Sequence, residues 1–337
     1  MKRVRSADLD ASAESSSTEE PAEQIRLANV IKAHHRNLQL AIADAPASEG
    51  EAVWCQATSE DTEALREYSS AMQQLATKFW DADPSSTRRY DDRLLYIAER
   101  LEDYFLGSDG EYPRLYRIPV KQERRSYHAQ HGCPLPTDAE AALVADLRLR
   151  YPIGQTLRVA DVGSCYNPLQ GKSLRSSVRL DVTAVDLAPF PGSGVLRCDW
   201  TRLEVTAPGS PVCAADGALK SVPLNYFDAV IFCLLLSYMP LKELRLKACI
   251  RACDTLKTGG LLVIVSTRTQ GSRKGDWILR WIQAIESIGF ERVDKHIRFK
   301  IVGLSFRKTR AGAITEAEVA ELLKQQSSLM DVIADTV

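Results

Sequence analysis

The sequence lacks an excess of charge of either sign. Its 43 Lys and Arg stand against 44 Asp and Glu, a formal net charge of −1. Proteins that hold nucleic acid do so with clustered cations, so this balance weighs against such a partner for the chain as a whole. Long apolar runs are lacking too. None approaches the roughly 20 residues needed to span a bilayer, and Met1-Lys-Arg-Val-Arg-Ser6 is not followed by the apolar region of a signal peptide. A soluble cytoplasmic protein is therefore expected. The eight cysteines include no C-x-x-C pair. Most lie in apolar runs, where a reduced cysteine packs as a small hydrophobe, so no metal site is expected. A phosphate loop is also missing. Gly171-Lys-Ser173 has the ending of one, but Tyr166 stands where the first glycine belongs.

What is present is an ordinary hydrophobic fraction, 45%, arranged in two patterns. Residues 1–22 are rich in Ser, Glu and Ala and read as a disordered tail. Helical periodicity then fills 23–106, a small helical domain. The segment 62–79 places Leu65, Tyr68, Met72, Leu75 and Phe79 on one face, and 91–106 does so with Leu94, Ile97, Leu101, Tyr104 and Phe105. His34 and His35 read as helix-surface residues. Residues 107–136 carry Gly, Pro, Arg114, Arg117, Lys121, Arg124 and Arg125, and read as an exposed linker or lid. Thr137-Asp-Ala-Glu140 has the spacing of a capping box.

From 137 to 310 short apolar runs alternate with helices, the signature of a parallel α/β sheet. Strands are expected at 157–162, 182–186, 195–198, 227–233 and 260–266, and a hairpin from Phe290 to Phe306. This is the seven-stranded arrangement of class I methyltransferases. Residues 311–337 hold a short helix, capped by Thr315-Glu-Ala-Glu318, and a tail.

Candidate site residues cluster at the strand ends. Leu157-Arg-Val-Ala-Asp-Val-Gly-Ser-Cys-Tyr-Asn-Pro168 ends an apolar run in Gly163. A residue without a side chain there lets a ligand lie on the backbone. Asp161 reads as shaping the turn. The next run, Val182-Thr-Ala-Val-Asp-Leu187, ends in Asp186, placed to accept both hydroxyls of a ribose. One glycine gives a pyrophosphate no cradle. S-adenosylmethionine, with ribose and adenine but no phosphate, fits better. Asp199 could accept from an adenine amino group and Trp200 cover the ring; the alternative is a loop acid and a core tryptophan. Cys233 ends the fourth run, either touching a ligand or packing. The run that follows, Leu234-Leu-Leu-Ser-Tyr238, carries no Asn/Asp-Pro-Pro acceptor motif, so no catalytic residue is assigned. Arg88-Arg89 opens a helix, where an arginine could pair with a methionine carboxylate.

These residues resemble one family. Asp161–Pro168, Cys198-Asp-Trp200, Leu234-Leu-Leu-Ser-Tyr238, Ala284–Phe290, and Glu67-Tyr68 with Ala71-Met72 are similar to SAMTOR, the S-adenosylmethionine sensors upstream of TOR complex 1. They are also similar to fungal relatives that methylate an rRNA adenine at N1. The likeness covers about residues 25–310. It implies that Arg89, Gly163, Asp186, Asp199, Trp200 and Cys233 touch S-adenosylmethionine or S-adenosylhomocysteine, Cys233 standing where the sensors carry serine. It further implies that the unliganded form binds the GATOR and KICSTOR complexes at the lysosome surface and restrains TOR signalling, and that the ligand releases it. An rRNA adenine methyltransferase is the alternative.

Overall fold

A computed structural model describes residues 13–46, 48–59, 63–80, 92–108, 111–175, 178–267, 276–297 and 301–331. The chain forms two compact units that divide between Asp91 and Asp92. In the first, α1 (Ala13–Asp44), α2 (Gly50–Ser59) and α3 (Glu63–Leu75) precede a π-helical turn, Ala76–Trp80. Leu27 and Ile31 of α1 bury against Ala71 and Leu75 of α3, flanked by Tyr68, Met72 and Phe79. Residues 13–22, expected to be disordered, continue α1 despite Ser15, Ser16, Ser17 and Pro21. His35 is not a surface residue. It is buried, edge-on to the Tyr68 ring at 5.3 Å, and burial with the neighbouring His34 lowers its pKa to about 4.

In the second unit, α4 (Asp92–Phe105) carries the expected apolar face but applies it to the sheet, so the helix read with the amino-terminal helices belongs here. The Tyr104 hydroxyl donates to the Gly259 carbonyl at 2.7 Å. Tyr96 lies so close to Gly303 that a Cβ there would sit 2.3 Å from its ring. The segment read as a linker is largely a helix, α5 (Arg114–His131), despite Pro119 inside it. Leu115, Tyr116 and Val120 bury one short stripe, and the charges that suggested a loop are mostly strong helix formers. In α6 (Thr137–Arg150) the expected capping box is not made; Glu140 turns to Arg124, accepting at 2.6 and 2.5 Å.

The sheet then follows. Its strands are β1 (Thr156–Val162), β2 (Arg179–Asp186), β3 (Leu196–Arg197), β7 (Phe227–Cys233), β8 (Leu256–Thr267), β9 (Phe290–Ile297) and β10 (Ile301–Lys308). They are ordered β3-β2-β1-β7-β8-β10-β9. All neighbours are parallel except β10, which is antiparallel to both β8 and β9. This is the class I methyltransferase order. The central strands are buried on both faces: Val159, Ala229, Val230, Ile231, Leu262 and Val263 are fully inaccessible, the continuous apolar pattern of a covered parallel sheet. Helices α8 (Lys242–Thr255) and α9 (Asp276–Gly289) follow β7 and β8. Two features were not expected. Residues 204–223 form a small second sheet, β4 (Glu204–Thr206), β5 (Val212–Cys213) and β6 (Leu219–Pro223), ordered β4-β6-β5. A one-turn helix α7 (Leu235–Tyr238) follows β7 after Leu234, whose φ is +65°. The capping box at Thr315 is present and opens α10 (Glu316–Gln326).

Candidate functional site

Strand order reverses beside β1: β2 pairs on one side and β7 on the other. Open α/β sheets bind ligands at the carboxyl edge of such a point. The register sets the level of the groups there. Val162 aligns with Val185 and with Phe232, so Gly163, Asp186 and Cys233 follow at one height on three adjacent strands. The strand spacing of about 4.8 Å puts the acid and the thiol on either side of the glycine.

The turn after β1 is built from unusual backbone. Gly163 has φ +76°, Cys165 φ +54° and Asn167 φ +58°. A Cβ at Gly163 would lie 3.0 Å from Leu235 Cδ1, so glycine serves the backbone and the packing as well as any ligand. The amides of Gly163 and Ser164 donate to the Val185 carbonyl at 2.8 and 3.1 Å. Asp161, read as shaping the turn, accepts from the Ser164 hydroxyl at 2.7 Å. Burial, with Asp186 nearby, pushes its pKa up to about 6.

Asp186 is half-buried at the end of β2. Its carboxylate accepts from the Cys165 amide at 3.1 Å and from the Ala188 amide at 2.9 Å, one on each oxygen. The Leu187 amide also bonds it, so three of the roughly four lone-pair sites of the carboxylate are engaged and acceptor capacity for a further donor remains. Desolvation raises its pKa. Asp199 caps the short helix Trp200–Arg202, accepting from the Thr201 amide at 3.0 Å and the Thr201 hydroxyl at 2.7 Å through one oxygen. Trp200 is set apart from these groups. The residue is 3% exposed, packs its ring with Phe227 and Phe232, and donates its indole N–H to the Ala248 carbonyl at 3.2 Å. It supports the edge from within the core. Cys233 is half-buried. Arg89 lies outside the described residues.

Sequence reasoning missed several groups at this edge. Arg93, buried on α4, donates to the Tyr166 hydroxyl at 3.3 Å. Its charge opposes the effect of burial on both Asp161 and Tyr238. The signal was an arginine in step with Ile97 and Leu101 on an apolar helix face. The buried Oδ1 of Asn167 has no hydrogen-bond partner among the described residues. Arg245 is buried and donates to the carbonyls of Leu236, Met239 and Met330 at 3.1, 2.6 and 2.7 Å, fixing the segment after β7. The edge thus offers carboxylates, an unsatisfied amide oxygen and a buried cation around the Gly163 turn. That set can recognise a polar ligand carrying hydroxyls, an amine and a carboxylate.

No family model matches the chain. Among curated proteins, the S-adenosylmethionine sensor upstream of mTORC1 of Danio rerio is 29% identical over 298 residues, 85% of this chain and 71% of that protein. That of Xenopus laevis is 30% identical over 305 residues, covering 86% and 72%. The chain belongs to the family of S-adenosylmethionine sensors upstream of mTORC1. Among solved structures, the Burkholderia thailandensis 1,6-didemethyltoxoflavin-N1-methyltransferase with bound S-adenosylhomocysteine is 16% identical, covers 68% of this chain and 93% of its own, and gives a TM-score of 0.32.

Proposed function

We propose that the carboxyl edge of β1, β2 and β7 binds S-adenosylmethionine, and that a partner upstream of TOR complex 1 reads its occupancy. The observation that carries this is the alignment of Gly163, Asp186 and Cys233 at the switch point, with acceptor capacity left on the Asp186 carboxylate. In this reading Asp186 takes the ribose hydroxyls and the free oxygen of Asp199 takes the adenine amino group. The methionine part lies over Gly163 towards Arg93 and Asn167, Cys233 bounds the ligand opposite Asp186, and Trp200 stiffens the wall from beneath. S-adenosylhomocysteine keeps the ribose, adenine and carboxylate and binds the same edge.

The membership of the family supports a sensing role. By the family resemblance, the unliganded protein binds GATOR and KICSTOR at the lysosome surface, and ligand releases it. A ligand shifts such an equilibrium only by its difference in affinity for the two states. A pull-down of GATOR and KICSTOR subunits on the full chain, with and without S-adenosylmethionine, tests it. Capture that falls as ligand is added is expected. Capture indifferent to ligand, together with methyl transfer to large-subunit rRNA, would establish the enzyme reading in its place.

A further inference from the structure

We propose that the groove between α5 and α6 docks an acidic peptide segment of a partner protein. The groove is open to solvent, spans about 770 Å³, and is lined by Lys121, Arg124, Arg125 and His128 along one side of α5, with Pro134 and Leu135 from the turn and Thr137 and Glu140 of α6. In a chain whose formal charge is −1, this is a local concentration of cations. Arg124 is already engaged: it grips Glu140 with two bonds at 2.6 and 2.5 Å and holds that carboxyl below its usual range. The side chains of Lys121, Arg125 and His128 are exposed and have no hydrogen-bond or ion-pair partner among the described residues. The Arg124–Glu140 pair shows the contact that an incoming carboxylate could repeat beside it.

Two further features add to the cations. Helix α6 follows Pro136, and no side chain caps its amides, so the positive end of its dipole faces an opening lined with cations. From Lys121 to His128 the helix rises about 10 Å at 1.5 Å per residue, the length of roughly three residues of extended chain. Size and lining select the occupant. The cavity is far larger than a phosphate. Ala129, Pro134 and Leu135 give it an apolar floor, which suits an aliphatic side chain between acids, and no Phe, Tyr or Trp lines it for stacking bases. The groove lies wholly on α5, α6 and the turn joining them, so the inference does not rest on the ligand at the strand edge.

Fluorescence anisotropy of the full chain with a labelled Gly-Glu-Glu-Leu-Glu-Glu-Gly peptide tests it. Saturable binding is expected, weakening as salt rises and falling about tenfold or more in the double variant Lys121→Glu/Arg125→Glu. Lys324→Glu, on α10, should bind like the parent, and S-adenosylmethionine titrations of the double variant should match the parent. If the reversed charges perturb folding, seen in the melting temperature, Lys121→Gln/Arg125→Gln replaces them with the same expected direction. The proposal is overturned if the peptide does not bind, if the charge variants bind it equally, or if inorganic phosphate or a single-stranded RNA oligonucleotide displaces it at lower concentration than unlabelled peptide does.

Discussion

Asp161 shows at the scale of one residue how the site trades stability for a charge. Its folded pKa, about 6, lies above the value near 4 of an unfolded aspartate. A raised carboxyl pKa means the folded state prefers the proton. Its contribution to stability is complete below about pH 4 and is lost as the pH rises through 6. Asp161→Asn should therefore raise the stability of the unliganded protein at pH 7.5 by about 3 kcal/mol, with little effect at pH 4. Thermal melts at the two pH values check this; an equal change at both would mean the acid is not held against its ionisation. Gly163 is the second such residue. Its φ of +76° and the Leu235 methyl at 3.0 Å give Gly163→Ala two costs before any ligand is considered. Left-handed backbone costs an alanine roughly 1–2 kcal/mol, so the apo melting temperature should fall, and ligand binding should fall further. An unchanged melt would show that the turn relaxes freely.

Among the elements, α4 depends on one close approach. Adding a methyl at Gly303 would drive a Cβ into the Tyr96 ring, whose hydroxyl is bonded to Ser305 at 3.1 Å. Overpacking of this kind costs about 1–3 kcal/mol. Gly303→Ala should lower the melting temperature of this unit by roughly 5 °C, and no loss would contradict the packing described. In the first unit, the buried His35 titrates at about 4 against about 6.5 when unfolded. Its depressed pKa means stability is complete above pH 6.5 and lost as the pH falls towards 4. Hydrogen exchange of α1 and α3 amides, corrected for intrinsic rates, should show weaker protection at pH 4.5 than at pH 7. Equal protection would place His35 in water.

The same elements show what could be read from sequence. The sheet strands were legible because a covered parallel strand is a continuous apolar run closed by a turn, and the run ending at Gly163 has both. α5 was not, because its buried stripe is only Leu115, Tyr116 and Val120 and Pro119 interrupts it. The apolar face of α4 was visible, but amphipathicity does not say which neighbour it meets. For that the fit of Tyr96 over Gly303 was needed. Asp186 was legible as an acid at a strand end, whereas Arg93 and Asn167 are drawn to the site by the fold.

Taken as a whole molecule, the protein places its recognisable chemistry at the point where the strand order turns, and Asp186 sits at the centre of it. Calorimetric titration of S-adenosylmethionine into the full chain and into Asp186→Ala is the most direct test. Because Asp186 also holds the amides of Cys165 and Ala188, the variant's melt is recorded alongside. The prediction is saturable binding to the parent and a loss of about 2–4 kcal/mol in the folded variant, roughly 30-fold to several-hundred-fold in affinity. Unchanged affinity in folded Asp186→Ala, or no binding to the parent, would contradict the account.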